Sequence, residues 1–118
     1  PYTTLFRSCS GVGKALLADM SDDEIKSIWD KSDKTPLTEH TITDFSKFMQ
    51  EIKEIRKRGY AMDNEEYELG VRCVAASIKH GEQKPQYAFS ISAPIHRMDE
   101  KRMKEIAEYA LAMKKINL

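Results

Sequence analysis

The sequence has few of the features that mark cross-linked, membrane-spanning or metal-binding proteins. Its two cysteines, Cys9 and Cys73, lie far apart and form no CxxC motif, which argues against a disulfide framework or a thiol-rich zinc site. No apolar run approaches the roughly 20 residues that a membrane-spanning helix needs. No signal-peptide pattern is visible, so we expect a chain that works in the reducing cytosol and does not bind a membrane.

An excess of charge of one sign is also missing. Lys and Arg number 19, as do Asp and Glu, so the formal net charge is zero. A domain that binds nucleic acid usually carries a basic excess or a basic stripe. We therefore do not expect this stretch to bind DNA by itself. The three histidines lack metal-ligand spacing, and we expect neither a metal nor a cofactor.

The first residues, Pro1–Ser8, resemble the in-frame translation of a common sequencing-library adapter. We therefore expect residues 1–8 to be non-native, with the natural sequence beginning near Cys9 and its true start lost. The rest is long enough for one domain or most of one. Apolar residues make up 41% of the chain, enough for a packed core.

Local patterns predict a helix-rich first half, then strands, then one closing helix. Apolar residues recur at helical spacing in each predicted helix, most clearly from Phe45 to Ile55. Capping chemistry predicts the helix boundaries: starts at Ser10, Ser21, Thr43 or Asp44, and Asp99, and a stop at Gly59.

Two segments, Val71–Lys79 and Gln86–Ala93, have strand composition and predict a hairpin, with a short strand at Tyr60–Met62 before them. Side chains alternate across a strand, so each hairpin strand has a bulky face and a face of small or weakly polar groups. The bulky faces need a helix layer. The small faces, which carry Cys73, Ser90 and Ser92, leave room for a pocket.

Three short motifs have a functional and a structural interpretation. Gly11-Val12-Gly13-Lys14 lacks the Ser or Thr that a phosphate loop requires after its lysine, which favours a tight, closely packed helix start. A further interpretation is that exposed N–H groups at this helix start attract small anions such as carboxylates. The basic run Arg56-Lys57-Arg58 is typical of a solvated helix end. The acidic run Asp63–Glu68 is typical of a solvated turn, in which Asp63 follows the short strand and is placed to face the open side of the sheet.

Five motifs in order and spacing resemble the C-terminal effector-binding domain of IclR-family transcriptional regulators. They are Ser10–Ala18, His40–Thr43, Ile55–Glu66, Leu69–Ala76 and Phe89–Pro94. The resemblance implies an α+β fold: a GAF-like curved antiparallel sheet flanked by helices, here incomplete at the N-terminus. It also implies that residues 9–118 are a partial effector-binding domain, without the winged helix-turn-helix domain that precedes it in the family.

The resemblance implies that the residues that contact the ligand in the family correspond here to six positions: Gly11, Val12, Asp63, Cys73, Ser90 and Ser92. Backbone N–H groups of Gly11 and Val12 would meet a carboxylate, and the two serines would donate hydroxyls to the same anion. Asp63 would accept from a ligand hydroxyl, and Cys73 would shape the floor.

The expected function is therefore the sensing of a small organic acid, such as a 2-oxo, sugar or aromatic acid, with no catalysis. Binding would shift a homodimer or homotetramer and thereby change DNA binding through the missing N-terminal domain. Two alternatives stay open: a GAF-like thiol enzyme that uses Cys73, and a pure oligomerisation module.

Overall fold

The computed structural model describes residues 10–32, 35–78 and 87–115, and within them the chain is an α+β domain. The expected non-native segment 1–8, Cys9 and the hairpin connection at 79–86 lie outside these residues. Helices and strands follow in the order α1 (Gly11–Ala18), α2 (Asp22–Lys31), α3 (Phe45–Arg58), β1 (Ala61–Asn64), β2 (Val71–Ile78), β3 (Tyr87–Pro94) and α4 (Glu100–Lys114). In this part of the chain, no helix is both long enough and apolar enough to cross a membrane.

The predicted helix boundaries are confirmed by the capping contacts. Ser10 Oγ accepts from the N–H of Gly13 at 3.0 Å. The other starts have the same form, with the side chains of Ser21, Asp44 and Asp99 each accepting from the N–H three residues on. Gly59 ends α3 with φ of 90°, a left-handed conformation that glycine adopts without strain. Local polar side chains thus set where each helix begins.

The three strands form an antiparallel sheet in the order β1-β2-β3. The hairpin pairing is as predicted, and its register places Ser92 opposite Cys73 and Ser90 opposite Ala75. The first strand is longer than the predicted Tyr60–Met62. Asp63 therefore lies within β1, opposite Cys73, and does not follow the strand.

Each face of the sheet carries its own core. On the bulky face, Val74 and Ala76 pack with Met98 and the apolar stripe of α4, which confirms the predicted helix layer. On the opposite face, Ala75 and Cys73 join α1, α2 and α3 in a second core. Trp29 of α2 stacks on Phe48 of α3 in this core, with ring centroids 4.8 Å apart.

The small face of the sheet is only partly open, because α1 fills much of it. A Cβ on Gly11 would lie 2.9 Å from Cys73 Sγ and 3.3 Å from Ala75 Cβ, closer than side chains normally pack. The small residues of β2 thus admit a helix, and the pocket predicted from them is confined to the end of that helix.

The basic run at the end of α3 is not the solvated face predicted for it. Arg56 donates to the carbonyl oxygen of Ala18, the last residue of α1, at 2.9 Å and to that of Met20, just after the helix, at 2.8 Å. Arg58 bonds the carbonyl of Tyr60 at 2.8 Å. Of the three, only Lys57 extends into solvent, with 77% of its side chain exposed.

Candidate ligand-binding site

A cavity of about 270 Å³ lies where the N-terminus of α1 meets the small face of the sheet. All the residues that the sequence predicts as ligand contacts line it: Gly11, Val12, Asp63, Cys73, Ser90 and Ser92. They come from one helix and three strands, so the fold brings together segments that are far apart in the chain. Ser10, Tyr67, Glu68 and Val71 complete the lining and were not predicted.

The N-terminal residues of helix α1 line this cavity. Ser10 receives the N–H of Gly13 through its hydroxyl and the N–H of Lys14 through its carbonyl, both at 3.0 Å. Gly11 and Val12 precede these residues, at positions where a helix offers no acceptor of its own. Both residues line the cavity at the positive end of the helix dipole, an arrangement that suits a carboxylate.

The sheet supplies hydroxyls and a thiol on the opposite wall. Cys73, Ser90 and Ser92 share one face because Cys73 pairs with Ser92 and the serines are two residues apart on β3. Burial raises the pKa of the Cys73 thiol, against the opposing effect of its hydrogen bonds to Ser92 and Ser90. This direction disfavours the thiolate that a thiol enzyme needs.

Asp63 is the buried carboxyl group of the cavity, with a relative exposure of 6%. Its Oδ1 accepts from the backbone N–H of Glu66 at 2.9 Å. Burial raises the pKa of Asp63, although this hydrogen bond and the positive charge of Lys14 act in the opposite direction. The side chain is thus shielded from water and fixed against the turn that follows β1.

Lys14 and Glu66 form a buried ion pair behind the cavity that the sequence interpretation missed. Lys14 is fully buried, and its Nζ lies 3.0 Å from Glu66 Oε2. Glu66, predicted to be solvated, is 8% exposed. Burial raises the pKa of Glu66, and the charge of Lys14 opposes this rise. One signal was present: Lys14 is the only charged residue in the apolar helix Gly11–Ala18.

Metal binding finds no support in the described parts of the chain. Over residues 10–32, 35–78 and 87–115, no group of three or more His, Cys, Asp and Glu side chains is placed to hold a metal ion. The polar groups of the cavity are instead amides, hydroxyls, a thiol and two carboxyls. Such groups recognise an organic ligand through hydrogen bonds.

Comparisons with known proteins agree on one family. A family model described as the C-terminal part of bacterial IclR transcriptional regulators matches residues 5–115. The transcriptional repressor IclR of Escherichia coli is 34% identical over 110 residues, which cover 92% of this chain and 40% of the repressor. The chain therefore spans well under half the length of this curated relative.

Two solved structures from the same comparisons share the fold. The C-terminal domain of the E. coli transcriptional regulator KdgR superposes with a TM-score of 0.83 at 31% identity, over 92% of this chain and 66% of that one. The Thermotoga maritima IclR has a TM-score of 0.82 at 34% identity, over 91% of this chain and 43% of that one. The architecture and the motif order thus point to the same group of proteins.

Proposed function

The chain belongs to the IclR family of bacterial transcriptional regulators, of which it carries C-terminal domain sequence, and from this we propose that its cavity binds a small organic acid as an effector. The observation that carries the proposal is that Gly11 and Val12, at the N-terminus of α1, line the same small cavity as Ser90 and Ser92 of β3. A carboxylate bound there exchanges its hydrogen bonds to water for hydrogen bonds to donors that the fold holds in place.

The size and the polarity of the cavity define the ligand class. A volume of about 270 Å³ lies below the range of about 300–1,000 Å³ that is usual for drug-sized ligands. The donors are concentrated at Gly11, Val12, Ser90 and Ser92, while Asp63 supplies an acceptor. A compact 2-oxo, hydroxy, sugar or aromatic acid meets both requirements, with its carboxylate at the donors and its hydroxyl towards Asp63.

The effector changes transcription by favouring one arrangement of the protein over another. A ligand shifts an equilibrium only by its difference in affinity for the two states. We propose that these states are arrangements of a homodimer or homotetramer in the cytoplasm. DNA would be contacted by an N-terminal domain outside this sequence, consistent with the zero net charge of these 118 residues.

Thermal unfolding against a panel of small acids tests the binding. An acid present at 100 times its Kd should stabilise the folded chain by about 2.7 kcal/mol and raise Tm accordingly. Ser90→Ala and Ser92→Ala should each weaken such an acid by about 10- to 100-fold, since each removes a hydrogen bond to a charged group. Affinity is measured by calorimetric titration of each variant.

Matched controls separate loss of contact from loss of fold. Ser27→Ala, on an exposed position of α2, should bind the acid as the parent chain does. Asp63→Ala, placed in a chain that also carries a DNA-binding domain, should weaken the ligand response while DNA binding without ligand is retained. A panel that leaves Tm unchanged, or serine variants that titrate like Ser27→Ala, would reject this site and favour a pure oligomerisation module.

A further inference from the structure

The buried ion pair behind the cavity joins helix α1 to the turn that follows β1. Lys14 Nζ donates to both carboxylate oxygens of Glu66, at 3.1 and 3.0 Å, and to the backbone carbonyl of Met62. Lys14 lies one helical turn after Gly11, so both residues face the β1–β2 pair. The pair therefore fixes how α1 sits on the sheet.

The same carboxylate organises the backbone that carries Asp63. Glu66 Oε2 accepts from the N–H of Asn64 at 3.2 Å, and the N–H of Glu66 donates to Asp63 Oδ1 at 2.9 Å. A continuous set of hydrogen bonds thus runs from Lys14 through Glu66 to a carboxyl group that lines the cavity.

The segment before α3 holds the turn from its outer side. The hydroxyl of Thr38 donates to the carbonyl oxygen of Glu65 at 2.6 Å, and the hydroxyl of Thr41 donates to that of Glu66. The turn is therefore held on its inner side by the Lys14–Glu66 ion pair and on its outer side by hydrogen bonds from Thr38 and Thr41. Its other end is held by Glu65, whose carboxylate accepts from the N–H of Gly70 at 3.0 Å.

A buried ion pair is a costly way to stabilise a fold, because both charges lose their hydration, and an apolar pair of similar size often does as well. A buried polar network does define a single arrangement of the groups that it connects. We propose that Lys14 and Glu66 are positioning residues of the cavity, which hold the start of the turn after β1 so that Asp63, near the end of that strand, stays beside Gly11. Their role in binding rests on the proposed function, whereas the geometry is testable without a ligand.

The first test measures the Asp63 carboxyl by carbon-detected NMR titration of the whole chain in Lys14→Gln. The positive charge of Lys14 lowers the pKa of Asp63, so loss of that charge alone would raise the pKa further. If Lys14 positions the turn, its removal should instead admit water to Asp63 and move the pKa down, towards its ordinary value. The control Lys26→Gln, which removes an exposed lysine of α2, should leave the titration unchanged.

A rise in the Asp63 pKa in Lys14→Gln, or no change, overturns the positioning role. Trp29 fluorescence checks that the variant is folded. If Lys14→Gln does not fold, the second test decides, because its double variant removes both charges of the ion pair.

The second test replaces the pair by apolar residues in Lys14→Met/Glu66→Leu. Hydrogen exchange at the amide of residue 66, whose acceptor Asp63 Oδ1 is kept in this variant, should become at least about tenfold faster, because the turn loses its inner support. The control Lys26→Met/Asp30→Leu removes an exposed pair of the same chemistry and should leave that amide protected. Protection equal to that of the parent chain overturns the proposal.

Ligand titration then separates this inference from the proposed function. An acid found in the panel should bind the Lys14→Met/Glu66→Leu chain about tenfold more weakly, as loss of a supporting contact does at other preorganised sites. If no acid binds the parent chain, the proposed function fails while the exchange result still decides the geometry. An acid that binds both chains equally overturns the positioning role alone.

Discussion

At the scale of single residues, burial governs the chemistry around the cavity. Asp63, Glu66 and Cys73 each have a raised pKa, and in each case desolvation is the largest cause. Burial favours the neutral form of an acid because the charged form loses its hydration. Burial thus shifts all three groups towards their neutral forms, which disfavours the thiolate that a nucleophilic Cys73 would need.

The thiol of Cys73 should react slowly with iodoacetamide. Because its pKa is raised above the ordinary value of 9.0, the thiolate fraction at pH 7–8 is smaller than that of an unperturbed thiol, and the rate should rise only at higher pH. The measurement uses a Cys9→Ser chain and compares its rate–pH profile with that of glutathione. An alkylation rate above that of glutathione at pH 7, with an inflection of the rate–pH profile below pH 9.0, would support the thiol-enzyme alternative.

At the scale of the elements, α1 depends on its neighbours. A helix of eight residues is too short to be stable alone. Ser10 satisfies its N-terminus, Lys14 attaches its middle to β1, and Arg56 satisfies its C-terminal carbonyls. Three contacts with segments outside the helix therefore hold the amides of Gly11 and Val12 at the cavity.

Arg56→Lys should destabilise the domain by about 1–2 kcal/mol, because a lysine cannot reproduce the fixed fork that the guanidinium uses. That fork reaches the carbonyls of Ala18 and Met20 and, at 2.9 Å, the carboxylate of Asp22. The free energy of unfolding is measured in urea.

The neighbouring Lys57→Arg is the control for this prediction, since its side chain is 77% exposed and joins no helix end. Its free energy of unfolding should match that of the parent chain. If Arg56→Lys also lies within about 0.5 kcal/mol of the parent chain, as an ordinary surface substitution does, Arg56 does not support α1.

At the scale of the whole molecule, one sheet separates two cores. Strand β2 contributes to both, with Ala75 on the side of α1–α3 and Val74 and Ala76 on the side of α4. Because consecutive residues of one central strand belong to opposite cores, neither layer can come apart without exposing the strand. The layers are therefore expected to unfold together.

Ile52→Val and Ile106→Val test this cooperation from opposite sides of the sheet. Each deletes one buried methyl group and should cost about 0.5–1.5 kcal/mol. In the double variant the costs should add within about 0.5 kcal/mol, because the two sites share no partner. Urea unfolding is followed by Trp29 fluorescence, which reports the α1–α3 side, and by far-ultraviolet circular dichroism, which reports all helices. Two different midpoints would mean that the layers unfold separately.

The sequence by itself determined whatever depends on residues close together in the chain. The caps at Ser10, Ser21, Asp44 and Asp99 and the stop at Gly59 are contacts within one turn of helix, so their signals are complete in a short segment. Alternation along the hairpin strands is likewise local, and it placed Cys73, Ser90 and Ser92 among the small side chains of their strands. The family resemblance, itself a pattern of such segments, then grouped the lining residues.

Only the tertiary structure decided the contacts between distant segments. Lys14 and Glu66 were both interpreted from their neighbours in the chain, as part of a helix start and of a solvated turn, yet together they are buried. Arg56 likewise has the sequence context of a solvated residue and bonds the end of another helix. A charged side chain is solvated or buried according to whether the fold brings it a partner, because an unpaired buried charge costs too much. That partner is chosen by packing, which no short stretch of sequence contains.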